Sequence, residues 1–153
     1  MSTIVSLDEF RNCAGRVLAP SDWFEVSQQR VNQFADATMD HQYIHLDQER
    51  AAATPFGGTI AHGYLTLSLL VHLNAQSALE PEGMQMLINY GSDKVRFLAP
   101  VRVGSRIRSQ QKVLDVSQRS ESNWLVKLEI TVEIEGGSKP AMLAEVLMLY
   151  ILG

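Results

Sequence analysis

The stretch "AHGYLTLSLLVHLNAQ", residues 61–76, decides the fold of this 153-residue chain. After His62 and Gly63 come apolar residues that point to every side of a helix: Tyr64, Leu65, Leu67, Leu69, Leu70, Val71 and Leu73. A helix that is apolar on every side is normally buried. The stretch therefore predicts a central helix over residues 63–76 that other elements of the chain surround.

The chain after this helix has the pattern of antiparallel strands. Apolar and polar residues alternate in "NWLVKLEITVEIEG" (123–136), which is typical of a strand with one buried face. The segment "AMLAEVLMLYIL" (141–152) is apolar on both faces, which favours a central strand. Two more strands are predicted in "DKVRFL" (93–98) and "VGSRIRSQQKVLDV" (103–116).

Short elements are predicted before the central helix. Three helices are expected in 6–15, 27–38 and 46–53, capped by Ser6, Ser27 and Asp47, and Gly15 is expected to end the first. A short strand is expected in 21–27, and a loop in the proline- and glycine-rich 54–63. This order predicts an α+β class: a single domain, residues 1–153, in which an antiparallel sheet wraps a central buried helix.

Composition limits the partners of the chain. The net charge of −4 gives no overall attraction to nucleic acid or to an anionic membrane. Cys13 is the only cysteine, so no disulfide forms within the chain. The first residues lack the pattern of a signal peptide, and no apolar run is long enough to span a membrane. We therefore expect a cytoplasmic protein with no nucleic-acid or membrane partner.

Chemistry-bearing side chains concentrate just ahead of the central helix. "DHQYIH", residues 40–45, holds a carboxylate, two imidazoles, an amide and a phenol. Asp40 and His45 are groups that can grip one water molecule and move a proton near neutral pH. Gly63 would expose its backbone N–H at the start of the helix, where developing negative charge is favoured.

Taken together, these motifs resemble the hot-dog fold and, within it, the MaoC-like dehydratases, a family that includes the R-specific enoyl-CoA hydratases. The residues that carry the resemblance are Asp40, a His five positions later, and the His62-Gly63 pair that opens the helix, with "KVRFLAPVRVGSRIR" resembling the family's later strand pair. The branch that contains the nodulation protein NodN is the most similar. The resemblance covers about Asp22 to the C-terminus.

This resemblance implies a hydratase site. Asp40 and His45 would be catalytic and Gly63 would hold the thioester oxygen, while Gln42, His62 and Arg96 would contact the substrate. Neither a metal nor a cofactor is implied. The substrate would be an acyl-CoA thioester or its acyl-carrier-protein equivalent, and a homodimer or a higher even oligomer is expected.

Two departures from the family pattern concern the start of this site. Met39 stands where the family usually has Gly, which is strained if that position needs a positive φ. Gln42-Tyr43 replaces the usual Asn-Pro pair.

Simpler interpretations of single residues remain open. Asp40 and Gln42 could be turn residues, and His45 a half-buried, hydrogen-bonded histidine. His62 could orient the loop by a hydrogen bond without serving as the acid. His41 and His45 are four apart and could bind a metal, although no helix is predicted to align them. His72 is expected to be structural. The basic residues after the helix could receive coenzyme A phosphates or could form a solvated strand face: Lys94, Arg96, Arg102, Arg106, Arg108 and Lys112.

Three functions are compatible with these residues. The first is hydration of a trans-2-enoyl-CoA to an R-3-hydroxyacyl-CoA, or the reverse dehydration. The second is a hot-dog thioesterase, which usually carries a carboxylate on the central helix; here the first acid is Glu80. The third is a non-catalytic subunit that binds an acyl thioester.

Overall fold

A computed structural model describes residues 2–153, which contain seven strands and six helices. The elements follow one another as β1 (Thr3–Val5), α1 (Leu7–Arg11), β2 (Phe24–Glu25), α2 (Gln28–Thr38), α3 (Tyr43–Leu46), α4 (Gln48–Ala52), α5 (Gly63–Ser68), α6 (Leu70–Ala75), β3 (Leu79–Pro81), β4 (Met84–Phe97), β5 (Arg106–Gln118), β6 (Asn123–Ile134) and β7 (Met142–Leu152).

A five-stranded antiparallel sheet forms the main layer, in the order β2-β5-β6-β7-β4. The sheet curls around α5 and α6, whose buried leucines join the same core as the inward side chains of β5, β6 and β7. The predicted α+β class and the hot-dog arrangement are confirmed. A parallel pair, β1 with β3, closes one end of the core and was not predicted.

β6, the middle strand of the sheet, has the alternation that the sequence predicted. Trp124, Val126, Leu128, Ile130 and Val132 are all buried, while the residues between them are exposed or half-buried. A strand with period-two alternation buries one face and leaves the other to polar side chains. β7 lies between β6 and β4, as its apolar sequence predicts for an interior strand.

The predicted helix starts are confirmed by their caps. The side chains of Ser6, Ser27 and Asp47 each accept a hydrogen bond from the backbone N–H three residues later. The prediction that Gly15 ends the first helix is wrong. α1 stops at Arg11, and the N–H of Asn12 bonds the carbonyl groups of the last turn.

The central helix differs from the prediction in two ways. It is interrupted at Leu69, so that α5 and α6 are two six-residue segments. One side of it is also uncovered in the single chain: Tyr64 is 70% exposed and Val71 is 63% exposed. His72 is likewise exposed, with its ring against Phe24 at a centroid distance of 4.9 Å.

β4 starts nine residues earlier than the predicted "DKVRFL" strand and forms one edge of the sheet. Almost all of its side chains are exposed, including Met86, Leu87, Ile88, Tyr90 and Phe97. Register shifts against β7 interrupt its pairing at three places. Within residues 2–153, no helix is long and apolar enough to cross a membrane.

Candidate active site

The end of α2 sets the position of Asp40. Met39 closes the helix in the left-handed region, with φ 63° and ψ 18°. It is the only residue other than glycine with a positive φ in the described part of the chain. This conformation turns the backbone sharply, so that Asp40 leaves the helix axis and its side chain stays about half exposed. The strain expected from the sequence at Met39 is therefore present.

His45 is held rigidly within the one-turn helix α3. Its ring is buried, and Nδ1 lies 2.7 Å from the carbonyl oxygen of Ile60. Because a carbonyl oxygen only accepts, Nδ1 carries the proton and donates it. Nε2 of the neutral ring then keeps a free lone pair. The N–H of Ile60 donates in turn to the carbonyl of Ile44, at 3.0 Å, which fixes the two segments together.

His62 supports the other side of this arrangement. Its Nε2 donates to the backbone carbonyl of Asp40 at 3.0 Å and lies 3.9 Å from the Asp40 carboxylate. The imidazole stacks on His45, with a centroid distance of 3.8 Å and planes 24° apart, and its other neighbour is Phe34. Its buried Nδ1 has no hydrogen-bond partner within residues 2–153. His62 thereby links the backbone of Asp40 to the ring of His45.

The three side chains form one cluster. One carboxylate oxygen of Asp40 and one nitrogen from each of His45 and His62 lie within 4.8 Å of one another. Burial lowers the pKa of His45 most strongly; the Ile60 hydrogen bond raises it, the neighbouring His62 lowers it and Asp40 raises it. The net direction is downward, so the His45 ring is neutral at pH 7 and can accept a proton.

The donor set of this cluster is one that could hold a transition metal, but its geometry does not favour one. A metal needs two ring nitrogens about 2.0–2.1 Å away with both lone pairs aimed at it. The rings of His45 and His62 are stacked, so their in-plane lone pairs lie in two nearly parallel planes and do not converge on one ion. His41 does not join His45 either, because it is exposed and pairs with Asp36 at 2.9 Å.

Gly63 lies beside the cluster as the first residue of α5. Its N–H has no acceptor within residues 2–153 and is free for a ligand. A Cβ added at Gly63 would lie 3.2 Å from three atoms of the Phe97 ring. The absence of a side chain here therefore allows β4 to approach the helix without displacing the Phe97 ring. A cavity of about 310 Å³ opens next to Gly63 and is lined by Thr66, Phe97 and neighbouring apolar residues.

The other residues that the sequence singled out make contacts of several kinds. The N–H of Gln42 approaches the Asp40 carboxylate at 3.4 Å, while its side chain makes no capping bond. Arg96 is exposed and donates to the adjacent Val95 carbonyl. Arg106 and Arg108 pair with glutamates of the neighbouring strand region, Glu135 and Glu133. Those two arginines form the solvated strand face.

Two contributors to the site were not predicted. Ile60 acts through its backbone carbonyl, and Phe97 through the packing of its ring on Gly63. Neither contact has a sequence signal, because a carbonyl is present at every residue and an apolar ring on a strand usually indicates only core packing. Arg102 was grouped with the phosphate candidates, but its guanidinium donates to the Gly57 carbonyl at 2.7 Å and holds the loop that precedes Ile60.

Comparison with known proteins identifies the family of the chain. The MaoC-like domain family matches residues 9–134. The chain belongs to this family. It is 46% identical over 151 residues to the 3-hydroxyacyl-thioester dehydratase Z of Mycobacterium tuberculosis, covering 99% of both chains. It is 45% identical over 141 residues to the nodulation protein N of Rhizobium meliloti, covering 92% of this chain and 88% of that protein.

One solved structure that is similar to this MaoC-like chain is that of a hydratase. The R-hydratase of Pseudomonas aeruginosa in its unliganded form superposes with a TM-score of 0.71 at 26% identity, over 92% of this chain and 83% of that one. The predicted family and its NodN-like branch are thus confirmed. Membership in a family of dehydratases and hydratases supports a hydro-lyase activity for the MaoC-like chain.

Proposed function

We propose that this protein is an R-specific enoyl-CoA hydratase that adds water to a trans-2-enoyl-CoA to give an R-3-hydroxyacyl-CoA, or runs the reverse dehydration. The observation that carries the proposal is the orientation of His45. Its Nδ1–H is bonded to Ile60, so its basic Nε2 is free, and the His45 ring belongs to the same cluster as the Asp40 carboxylate. A carboxylate and a neutral imidazole at this spacing can hold one water between them.

The proposed reaction uses these two groups on one water. Asp40 accepts one hydrogen bond and orients the water, while Nε2 of His45 takes its other proton as the oxygen bonds Cβ. The electrons of the double bond move to the thioester, which becomes enolate-like. The proton on His45 then passes to Cα, which leaves the product neutral and the ring ready for another cycle. Positioned proton transfer of this kind contributes about 10²–10⁴-fold.

Stabilisation of the enolate is assigned to the N–H of Gly63. This N–H has no partner in the described chain and opens α5 close to the cluster. A preorganised backbone donor stabilises charge that develops on oxygen, and losing one such donor costs about 10²–10³-fold. His62 is assigned the positioning of Asp40 and His45 through its hydrogen bond and its stacking contact. Gln42 is assigned a contact with Asp40 or the thioester.

The carrier of the acyl group is proposed to be coenzyme A. Lys94 and Arg96 lie on the exposed edge strand β4, whose last residue Phe97 packs at Gly63, and neither forms a salt bridge in the described chain. Basic side chains at this position could receive phosphates or the acidic surface of an acyl-carrier protein. The reaction named for dehydratase Z and the stereochemistry named for the R-hydratase support the proposed substrate class and product.

A homodimer that pairs along β4 is part of the proposal. This edge strand is long and exposes the apolar side chains of Met86, Leu87 and Ile88. An unpaired apolar edge is a template for association with another strand. Because Phe97 of the same strand contacts the site at Gly63, a partner on β4 would lie close to the chemistry. Light scattering at micromolar concentration should give at least twice the monomer mass, and a monodisperse monomer would contradict this assembly.

The catalytic proposal is tested by loss of the enone absorbance of crotonyl-CoA on addition of the purified protein. Asp40→Asn keeps shape and hydrogen bonding but weakens the carboxylate's hold on the water, and His45→Gln removes the base. Each should reduce hydration by at least about 10²-fold. Because both groups act on one water, the double variant should lose far less than the product of the two single losses.

The chain offers a matched control in His41→Gln. His41 adjoins Asp40 in sequence, but its ring is exposed and bonded to Asp36, so its replacement should leave hydration near normal. Binding of a saturated acyl-CoA should change little in all variants, which separates loss of chemistry from loss of the fold. Near-normal activity of Asp40→Asn, or losses that simply multiply, would refute the shared-water mechanism. Wild-type binding with no hydration at any chain length would favour the acyl-binding role.

A further inference from the structure

A second, larger cavity lies between the central helix and the inner face of the sheet. Its volume is about 460 Å³, and it lies under the exposed side of α5 and α6, between them and strands β4 and β7. Most of the lining is apolar, with Leu67, Leu70 and Val71 from the helices and Val146 and Met148 among those from the sheet. None of the catalytic candidates lines it, so it extends away from the site.

The cavity is aligned with the catalytic end of the helix. Gly63, Leu67, Leu70 and Asn74 are spaced at i, i+4, i+7 and i+11, and therefore fall on one stripe. Leu69, between α5 and α6, keeps right-handed helical dihedral angles, so at a rise of 1.5 Å per residue Asn74 lies roughly 16 Å along the axis from Gly63. An extended chain advances about 1.1–1.2 Å per bond, because three backbone bonds span about 3.3–3.6 Å. A linear acyl chain held at Gly63 would reach Asn74 after about 14 bonds.

The far end of this cavity is polar. Asn74 Oδ1 is buried and has no hydrogen-bond partner within residues 2–153. Gln111 is only 1% exposed; its Nε2 donates to the Asn74 carbonyl at 3.1 Å and to Ser77 Oγ at 3.0 Å, which leaves Oε1 unpaired in the described chain. Both residues line the cavity, together with the buried Tyr150. The buried, unpaired Oδ1 of Asn74 calls for a donor, because buried polar groups are normally satisfied.

We propose that this polar end selects acyl chains that carry a hydroxyl group near their far terminus. A hydroxyl can donate to one of the acceptors on Asn74 and Gln111 and can accept from the Tyr150 hydroxyl. A plain alkyl end offers nothing to these groups and leaves them unpaired. The alternative occupant is an ordered water, which needs two to four polar partners and would be displaced by any chain. This inference rests on the proposed acyl-thioester site and specifies its substrate class.

The test compares chains that differ only at the far end. Dissociation constants of the protein are measured by calorimetry for saturated straight-chain acyl-CoA pairs, with and without a terminal hydroxyl, from eight to sixteen carbons. At fourteen to sixteen carbons the hydroxylated member should bind about three- to tenfold more tightly, as expected for one net hydrogen bond. At eight carbons the chain is too short to reach Asn74, and the hydroxyl should give no advantage.

Asn74→Leu isolates the side-chain acceptor. The bond from Gln111 goes to the backbone carbonyl of Asn74, so this substitution leaves it in place. The variant should lose the preference for the hydroxylated chain and bind the plain chain equally well or better. Ser68→Ala is the matched control: Ser68 lines the same cavity nearer Gly63, but its hydroxyl is already bonded to the Tyr64 carbonyl at 2.7 Å. It should retain the wild-type preference.

The binding assay does not depend on catalysis, so it distinguishes this inference from the proposed reaction. Absence of hydration with an intact hydroxyl preference would overturn the hydratase and leave the inference standing. The inference would be overturned if the wild type bound the hydroxylated and the plain acyl-CoA equally well, or if Asn74→Leu changed the two affinities equally. The polar end of the cavity would then be assigned to water.

Discussion

Replacing Met39 by Gly should stabilise the protein. Met39 is held at φ 63°, where a residue with a side chain loses about 1–2 kcal/mol relative to its preferred regions. Glycine avoids that strain but loses about 0.5–1 kcal/mol more backbone entropy on folding. The Met39 side chain is 78% exposed, so its removal sacrifices little buried surface. The net gain is about 0.5–1 kcal/mol, which corresponds to a rise in Tm of roughly 1–4 °C in a chain of this size.

Thermal unfolding followed by circular dichroism measures this change. Ala53→Gly is the matched control, since Ala53 also closes a short helix and is exposed but has φ −78° and ψ −5°. With no strain to relieve, that substitution should lower stability by about 0.5–1 kcal/mol. The reasoning fails if Met39→Gly lowers Tm as Ala53→Gly does. Hydratase activity should stay within about twofold, because glycine keeps the turn that places Asp40.

Three further outcomes follow from the site and the sheet edge. Gly63→Ala should reduce hydration about tenfold, because the added Cβ would lie 3.2 Å from the Phe97 ring and displace that ring by a few tenths of an ångström. Unchanged turnover would show that the contact between Gly63 and Phe97 does not matter for catalysis. The pKa of His45 is lowered, so the neutral ring favours the folded state. Catalytic activity, and the contribution of His45 to stability, should both be present above pH 6.5 and be lost as the pH falls through the folded-state pKa. An acid limb of kcat/KM centred above pH 6.5 would contradict this. Ile88→Lys on the exposed edge should yield a folded monomer by light scattering, whereas an unchanged oligomer would place the contact elsewhere.

Much of the fold was predictable because its elements have strong local signals. The alternation in β6 and the caps at Ser27 and Asp47 act within a few residues, and the structure confirms them. The interruption at Leu69 has no such signal, since it falls inside a run of aliphatic residues. The first nine residues of β4, 84–92, were missed because an exposed edge strand with three polar residues and a glycine lacks the periodicity of a half-buried one.

The site shows the same division between local pattern and tertiary contact. The resemblance singled out Asp40, His45 and Gly63, and the structure brings these residues close together, although their catalytic roles remain a prediction. The stacking of His62 on His45 was not predictable, because the two residues are seventeen positions apart in the sequence and only the folded chain brings them together. The basic residues illustrate the opposite problem: Arg106 and Arg108 looked like phosphate ligands until their cross-strand glutamates were seen.

The bonds between the two motif segments make the intervening chain a closed loop. His45 to Ile60, Ile60 to Ile44 and His62 to Asp40 tie residues 40–45 to 60–62. None of these three bonds involves the middle of the loop, where the turn at 53–55 lies at the surface. Doubling a loop costs only about 0.6 kcal/mol of closure entropy. Insertions at this turn are thus a route by which the chain can acquire a cover over its substrate without rebuilding its catalytic centre.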